Sequence, residues 1–378
     1  VSSWLTIASQ HALRHTGRDK EASMASSIRP FLTSVALGIA SALPFHALAQ
    51  DTPPHLMPVS VVAPARLPVV SPSGAGQFPL FLSEDWSRPR PDIRRAVLVF
   101  HGILRNADVY FRDSLQALAE AGDAGAGTLM IAPQFLADFD VIAHKLPADT
   151  LAWDQQDWPA GSPSRTVAQA SSYDAIDAIL AKLADRTLFP RLADVVIAGH
   201  SGGGQVVQRY AVVGKGDSKL TDVGIKVRYV IANPSSYVYF VPERPNSDGV
   251  MVPFAGAGSC PQFNQWRYGF AGNLPPYVQQ TPTQLEQAYL ARDVVHLLGA
   301  EDTDPNHRVL DNSCSGKAEG PHRYFRGHAY VSSMRTRHGA AYRHRIFDVP
   351  GVGHHGGRMF GSPCGLFALF DKSGCGAG

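Results

Sequence analysis

Charge is scarce in this chain of 378 residues: 17% are Asp, Glu, Lys or Arg, and neither sign predominates, the formal net charge being +2. Such a balance lacks the basic stripe that a phosphate backbone demands, which argues against a nucleic-acid partner. Cysteine is sparse too. Cys260, Cys314, Cys364 and Cys375 are all there are, and no two form a C-x-x-C pair, which disfavours a structural zinc site. No His-Glu-x-x-His pattern occurs and the histidines are scattered, so neither a catalytic metal nor a cofactor is expected. No repeat of solenoid period is visible. No apolar run is long enough for a membrane span in a mature chain. What is left is an ordinary globular composition, 44% hydrophobic, in a length that suits one large domain with tails.

The N-terminal region reads as an address. Arg29 precedes the apolar run Phe31-Leu32-Thr33-Ser34-Val35-Ala36-Leu37-Gly38-Ile39-Ala40, and Ala47-Leu48-Ala49 closes it. A basic start, an apolar middle and an A-x-A end make a secretory signal peptide. Met24 is its natural start, which places residues 1–23 upstream of it and a mature chain near Gln50. Removing residues 1–49 takes away Arg14, Arg18, Lys20 and Arg29 against Asp19 and Glu21, and so cancels the net charge. Export, to the periplasm or beyond, suits disulfides, and an even cysteine count suggests two. Three connectivities are possible. The local one, Cys260 with Cys314 and Cys364 with Cys375, closes the loops most plausibly.

Residues 50–93 read as an extended arm followed by an edge strand at 78–82, where Pro79 would spoil a central position. From residue 94 apolar runs alternate with helical patterns. Strands are expected at 94–100, 128–133, 194–199, 227–232, 294–299 and 343–349. Helices are expected at 107–121 with Asn106 as cap, at 171–184 capped by serine with Asp174 near its start, at 202–213, at 284–292, and at 359–370 with a break at Pro363. Residues 305–341 show no clear period. Residues 234–282 interrupt the alternation with prolines and aromatics and read as a lid-like insertion over the sheet's C-terminal edge. Tyr237, Trp266 and Tyr268 within it are the candidate substrate contacts.

Alternation of this kind implies a mostly parallel sheet with helices on both faces, whose sites form at the C-terminal ends of strands. Four chemically able groups fall at such ends: His101-Gly102, Ser201, Asp302 and His354. The stretch Asp194-Val195-Val196-Ile197-Ala198-Gly199-His200-Ser201-Gly202-Gly203 completes a G-x-S-x-G pattern after a buried strand and before a helix. There a serine sits on a sharp turn, and flanking glycines remove the Cβ clashes that would forbid it.

These residues, in the order Ser, acid, His, resemble the α/β-hydrolase superfamily over roughly residues 94–371, within a catalytic domain expected at 94–378. The resemblance implies that Ser201 is a nucleophile, His354 its general base and Asp302 the acid that orients the imidazole. It also implies an oxyanion hole from the N–H groups of Gly202 and Ile103, with Leu104 as the alternative to Ile103, since no His-Gly-Gly-Gly stands there. Asp304 and, more remotely, Asp248 compete with Asp302. The expected protein is an exported serine hydrolase acting on a small-molecule or polymeric ester. A serine peptidase or amidase on the same triad, or a non-catalytic binding protein on the same fold, stays open. The aromatic insertion favours an apolar or aromatic substrate group.

Overall fold

The computed structural model of the chain describes residues 52–376; the signal peptide expected within residues 1–49, with its start at Met24, lies outside them. Strands β1 (Ala65–Ser71), β2 (Gly74–Leu82), β3 (Arg95–Phe100), β4 (Thr128–Pro133), β5 (Asp194–His200), β6 (Lys226–Ala232), β7 (Asp293–Gly299) and β8 (Arg345–Val349) form one eight-stranded sheet. Its order is β1-β2-β4-β3-β5-β6-β7-β8. Strand β2 runs against its neighbours, and every pair from β4 through β3 to β8 is parallel. The helices that pack the sheet and flank the site are α1 (Ala107–Ala121), α2 (Ser172–Leu183), α3 (Gly202–Val213), α4 (Pro282–Ala291), α5 (Arg323–His338), α6 (Gly356–Gly361) and α7 (Pro363–Phe370), with short helical turns at Asp138–Ala143, Asp217–Thr221 and Cys314–Ala318 besides.

Side chains of one strand alternate between faces, so a parallel sheet covered on both sides needs continuous apolar runs. Ala96, Leu98, Phe100, Val195 and Ile197 enter one core with Ile176 and Ile179 of α2 and Val206 and Tyr210 of α3. Val97, Val99, Val196 and Ala198 enter the other, with Ala117 of α1 and Met359, Leu369 and Phe370 of the closing helices. The helix ends follow local chemistry. Ser171 Oγ accepts from Tyr173 N–H at 3.1 Å while Asp174 Oδ2 accepts from Ser171 N–H at 2.9 Å, a reciprocal cap on α2. Ser362 Oγ accepts from Gly365 N–H and starts α7 at Pro363. Asn106 does stand at the N-cap of α1, but its side chain makes no cap bond.

Two expectations need correction. The arm supplies β1, so β2 is not the edge strand. Pro79 is tolerated inside the sheet because its carbonyl, which accepts from Gln134 N–H at 2.9 Å, faces β4. Its missing donor faces the same way, just beyond the Leu80↔Pro133 end of the β2–β4 ladder, where the loss is least. Second, a helix, α5, lies in the stretch that showed no period. Its buried face is Arg323, Arg326, Gly327, Tyr330 and Met334, which does recur at helical spacing but is carried by arginines in place of aliphatic residues. The insertion has little regular structure, chiefly a two-strand pairing of Arg244–Pro245 with Met251–Val252. It is organised around the buried Arg244, which donates to the carbonyls of Val241, Phe263 and Tyr268 and lies over the rings of Tyr239 and Phe263. Disulfides join Cys260 to Cys314 and Cys364 to Cys375, the local pairing. The first ties the insertion to the segment beyond β7. Such links contribute about 2–4 kcal/mol each. Among the described residues no helix is long and apolar enough to cross a membrane.

Several histidines are folded in uncharged. Burial pushes His101 down to about 4, His296 of β7 to about 3 and His344 to about 4, from an ordinary 6.5. Between roughly pH 6.5 and 4 the unfolded chain therefore takes up protons that the native state refuses, and stability falls as pH falls through that window. Buried Glu319, pushed up to about 8 by desolvation, acts in the opposite direction, as do Asp174 and Asp177, whose carboxyls burial raises; His200 and His354, also held down by burial, act with the other histidines. Thermal melts at stepped pH should show the midpoint dropping steeply from pH 7 to 4.5. An unchanged midpoint over that range would contradict the burial of these imidazoles.

Candidate active site

Strand β5 ends at His200, and the next residue still reaches its neighbour strand, Ser201 N–H donating to Ala232 O at 3.0 Å. The chain then reverses within that residue: Ser201 has φ +60° and ψ −119°. For a residue with a Cβ this costs roughly 1–3 kcal/mol and persists only where the surroundings enforce it. Here they do. A Cβ on Gly199 would collide with the carbonyl of Gly203, and one on Gly203 with the carbonyls of Phe100 and His101. Helix α3 thus leaves the sheet backbone against backbone, and the serine hydroxyl is presented at its start.

Ser201 Oγ donates to His354 Nε2 at 2.9 Å, and His354 Nδ1 donates to Asp302 Oδ2 at 2.7 Å. Ser201 and Asp302 are 5% and 3% exposed, so this chain of bonds is shielded from water. Burial pushes the His354 imidazole down to about 4 against the pull of the Asp302 hydrogen bond, which leaves it neutral, with its Nε2 lone pair free to accept, at neutral pH. Burial would raise the Asp302 carboxyl, but the His354 hydrogen bond and the Arg323 guanidinium hold it below its ordinary value. Arg323, fully buried, donates to Asp302 Oδ1 at 3.3 Å, to Ser235 Oγ at 3.0 Å and to Val309 O at 2.8 Å. The rival acids are elsewhere. Asp304 is exposed and accepts from Asn306 N–H at 2.8 Å, and Asp248 is exposed beside Asn246. His355 is turned away, accepting from Arg358 N–H at the start of α6. The His354 ring lies between those of His200 and His307, 4.6 and 4.8 Å away by centroid.

The loop after β3 faces the serine from the other side. His101 is fully buried; Phe135 N–H donates to its Nε2 at 2.9 Å, so its proton is on Nδ1, which donates to Gly102 O at 2.7 Å. Arg105 N–H donates to the same carbonyl at 3.1 Å. Two donors on one carbonyl fix the Gly102–Ile103 peptide plane, and in a trans peptide the Ile103 N–H points opposite. It points to the serine turn: a Cβ on Gly202 would lie 3.0 Å from Ile103 N. Among the described residues Ile103 N–H has no acceptor, and Gly202 N–H, at the first position of α3, has none within its helix. Two free donors flank the hydroxyl, at a helix N-terminus that favours negative charge. His101 served in the sequence only as a landmark; its bracing role needed Phe135, which no local pattern links to it.

A cleft of about 320 Å³ opens at Ser201, with Gln156, Gln205, Ser235, Arg267 and Arg308 among its walls. A second hollow of about 230 Å³ lies on the His354 side, bounded by Leu104, Val109, Tyr110 and His307. The aromatic candidates do not line the cleft. Tyr237 is fully buried and stacked on Tyr330 at 4.5 Å, Trp266 Nε1 donates to Ala160 O at 2.7 Å, and Tyr268 OH donates to Asp311 Oδ2 at 2.7 Å. The insertion reaches the cleft through Ser235 and Arg267, so its contribution is polar where an apolar wall was expected. Among the described residues no group of three or more His, Cys, Asp or Glu is placed to hold a metal ion.

Compared with known proteins, the chain matches no family model and no curated protein. Solved structures do match. LpqC, a poly(3-hydroxybutyrate) depolymerase from Bordetella parapertussis, aligns with a TM-score of 0.53 at 22% identity, over 81% of this chain and 90% of its own. Poly(aspartic acid) hydrolase-1 from Sphingomonas sp. KT-1 aligns with a TM-score of 0.50 at 19% identity, over 79% and 96%. At such identities the likeness is one of fold, and with the parallel sheet order it makes this the α/β-hydrolase fold.

Proposed function

We propose that this chain is an exported serine hydrolase that cleaves carboxylic esters through an acyl-enzyme. The observation that carries this is the continuous chain from Ser201 Oγ through His354 to Asp302, with distances of 2.9 and 2.7 Å, which starts between two unengaged backbone donors. A serine hydroxyl becomes a nucleophile only when a base removes its proton in the attack. His354 is that base. Asp302 holds the proton on Nδ1 and stabilises the imidazolium that forms. The N–H groups of Ile103 and Gly202 bind the oxyanion of the tetrahedral intermediate, where one donor is typically worth about 3–4 kcal/mol. His354 then protonates the departing alkoxide, and water enters by the same base to release the acid. Export is supported by the leader pattern and by two disulfides, which form in oxidising compartments.

The polar side chains of the cleft, Gln156, Gln205, Ser235, Arg267 and Arg308, set among Ile103, Pro159, Val309 and Leu310, direct the choice of test substrates. The panel comprises p-nitrophenyl esters of short, long and hydroxylated acids, an oligomer of 3-hydroxybutyrate and anilides of the same acids. Esters should turn over at least about 100-fold faster than the matching anilides. Hydroxylated and oligomeric acyl groups should outperform plain alkyl chains of equal length. Faster anilide cleavage would replace the esterase assignment with an amidase one, and no turnover at all would favour a binding protein.

A further inference from the structure

Residues 55–63 have almost no regular structure, yet their backbone is engaged almost residue by residue. Arg105, at the end of the Gly102–Arg105 turn, is fully buried and has φ +58°. Its guanidinium donates to His55 O and Met57 O, each at 2.7 Å, and forks onto Asp140 at 2.6 and 3.2 Å. Asp140, equally buried, also accepts from Val59 N–H at 2.8 Å and Ala137 N–H at 2.7 Å. Gln134 makes the second junction. It accepts from Ala63 N–H at 2.7 Å and donates to Val61 O and to Arg105 O, each at 3.0 Å. His144 is hydrogen-bonded to Val59 O. The arm's partners are thus the side chains that also terminate the turn carrying Ile103, and His55 itself lines the cleft at Ser201.

A buried guanidinium is tolerated only when its donors are satisfied. Two of the groups that satisfy Arg105 are carbonyls of the arm, so Arg105 can hold its place, and its N–H can hold Gly102 O, only with the arm seated. We propose that residues 55–63 are a working part of the active site: seated on Arg105 and Gln134, they hold the Gly102–Arg105 turn so that Ile103 N–H faces Ser201, and they close one end of the cleft through His55. Arg105 and Gln134 are positioning residues, since they act on the reaction through Ile103. The inference rests on the roles of Ser201 and Ile103 proposed above.

The test uses the whole chain and three variants: Arg105→Met, Gln134→Leu, and insertion of one glycine between Pro58 and Val59. The insertion leaves the turn's own residues intact but puts His55 and Met57 out of register with Val59. A misplaced donor costs on the order of 10²-fold, so kcat should fall about 100-fold in Arg105→Met. It should fall about tenfold in each of the other two. KM should stay within about threefold, and the rate constant for fluorophosphonate labelling, whose phosphoryl oxygen uses the same donors, should fall by the same factors as kcat. Circular dichroism confirms folding, and if Arg105→Met does not fold, the other two variants decide. Folded variants whose kcat lies within threefold of wild type overturn the inference, as does a loss seen only in KM. A wild type that fluorophosphonate leaves unlabelled overturns the assignment of Ser201 and this inference with it; a labelled wild type with indifferent variants overturns this inference alone.

Discussion

Replacement of Ser201 by alanine should abolish ester hydrolysis and fluorophosphonate labelling together, with the fold intact. The hydroxyl makes a single side-chain bond, to His354 Nε2, and its Cβ already sits in the serine turn, so alanine removes the nucleophile and little else. What survives is catalysis by the oxyanion donors on water, and the loss in kcat should be on the order of 10⁶. Intact-mass measurement after exposure to a fluorophosphonate reads it directly: one adduct on the wild-type chain and none on Ser201→Ala. An adduct retained by the variant, or an active Ser201→Ala, would place the nucleophile at another serine.

Asp302→Asn should be nearly as damaging, for a reason specific to this site. Arg323 donates to one carboxylate oxygen and His354 to the other. In the amide only the oxygen can accept from the guanidinium, so Arg323 orients the new NH₂ toward His354. The imidazole must then accept at Nδ1 and carry its proton on Nε2, where it can no longer take one from Ser201. Turnover should fall about 10⁴-fold without unfolding. Asp304→Asn changes an exposed turn residue and should cost no more than about tenfold, ~1.4 kcal/mol. Steady-state kinetics on one good ester decides the pair; an inactive Asp304→Asn beside a near-normal Asp302→Asn would reverse the roles.

The parts legible in the sequence are those written in a single local pattern. Val195 to Ala198 is apolar at every position because β5 is covered on both faces, and Gly199 and Gly203 mark a backbone contact that admits no side chain. Ser171 and Asp174 announce the start of α2 for the same local reason. Where burial is achieved with charge, hydropathy gives no signal. Arg323 and Arg326 occupy the positions that Leu or Val would hold on an ordinary helix, because most of their donors are taken up, by Asp302, Ser235, Val309 and Asp311 among others. Those partners lie on other elements. Strand β1 was missed in a related way, since Pro68 and a half-exposed pattern read as arm until β2 paired with it. In the insertion the aromatics flanking Arg267 turn inward to hydrogen-bond the scaffold, and the arginine between them lines the cleft, a division that the run of aromatics in the sequence does not show.

The glycines beneath the serine turn have a consequence for tolerance to change. Positions in a protein core normally depend on a stack of side chains, each able to shift by a fraction of an ångström, and substitutions there accumulate as displacement. Helix α3 meets β3, β5 and β6 at Gly199, Gly203 and Gly204 with no side chain between, so atomic radii alone set its height above the sheet. Ser201 is therefore referenced to a fixed datum. Drift in the surrounding core can alter what the cleft admits while Ser201 keeps its address, and under the proposed function substrate range and reaction chemistry are thereby free to vary separately.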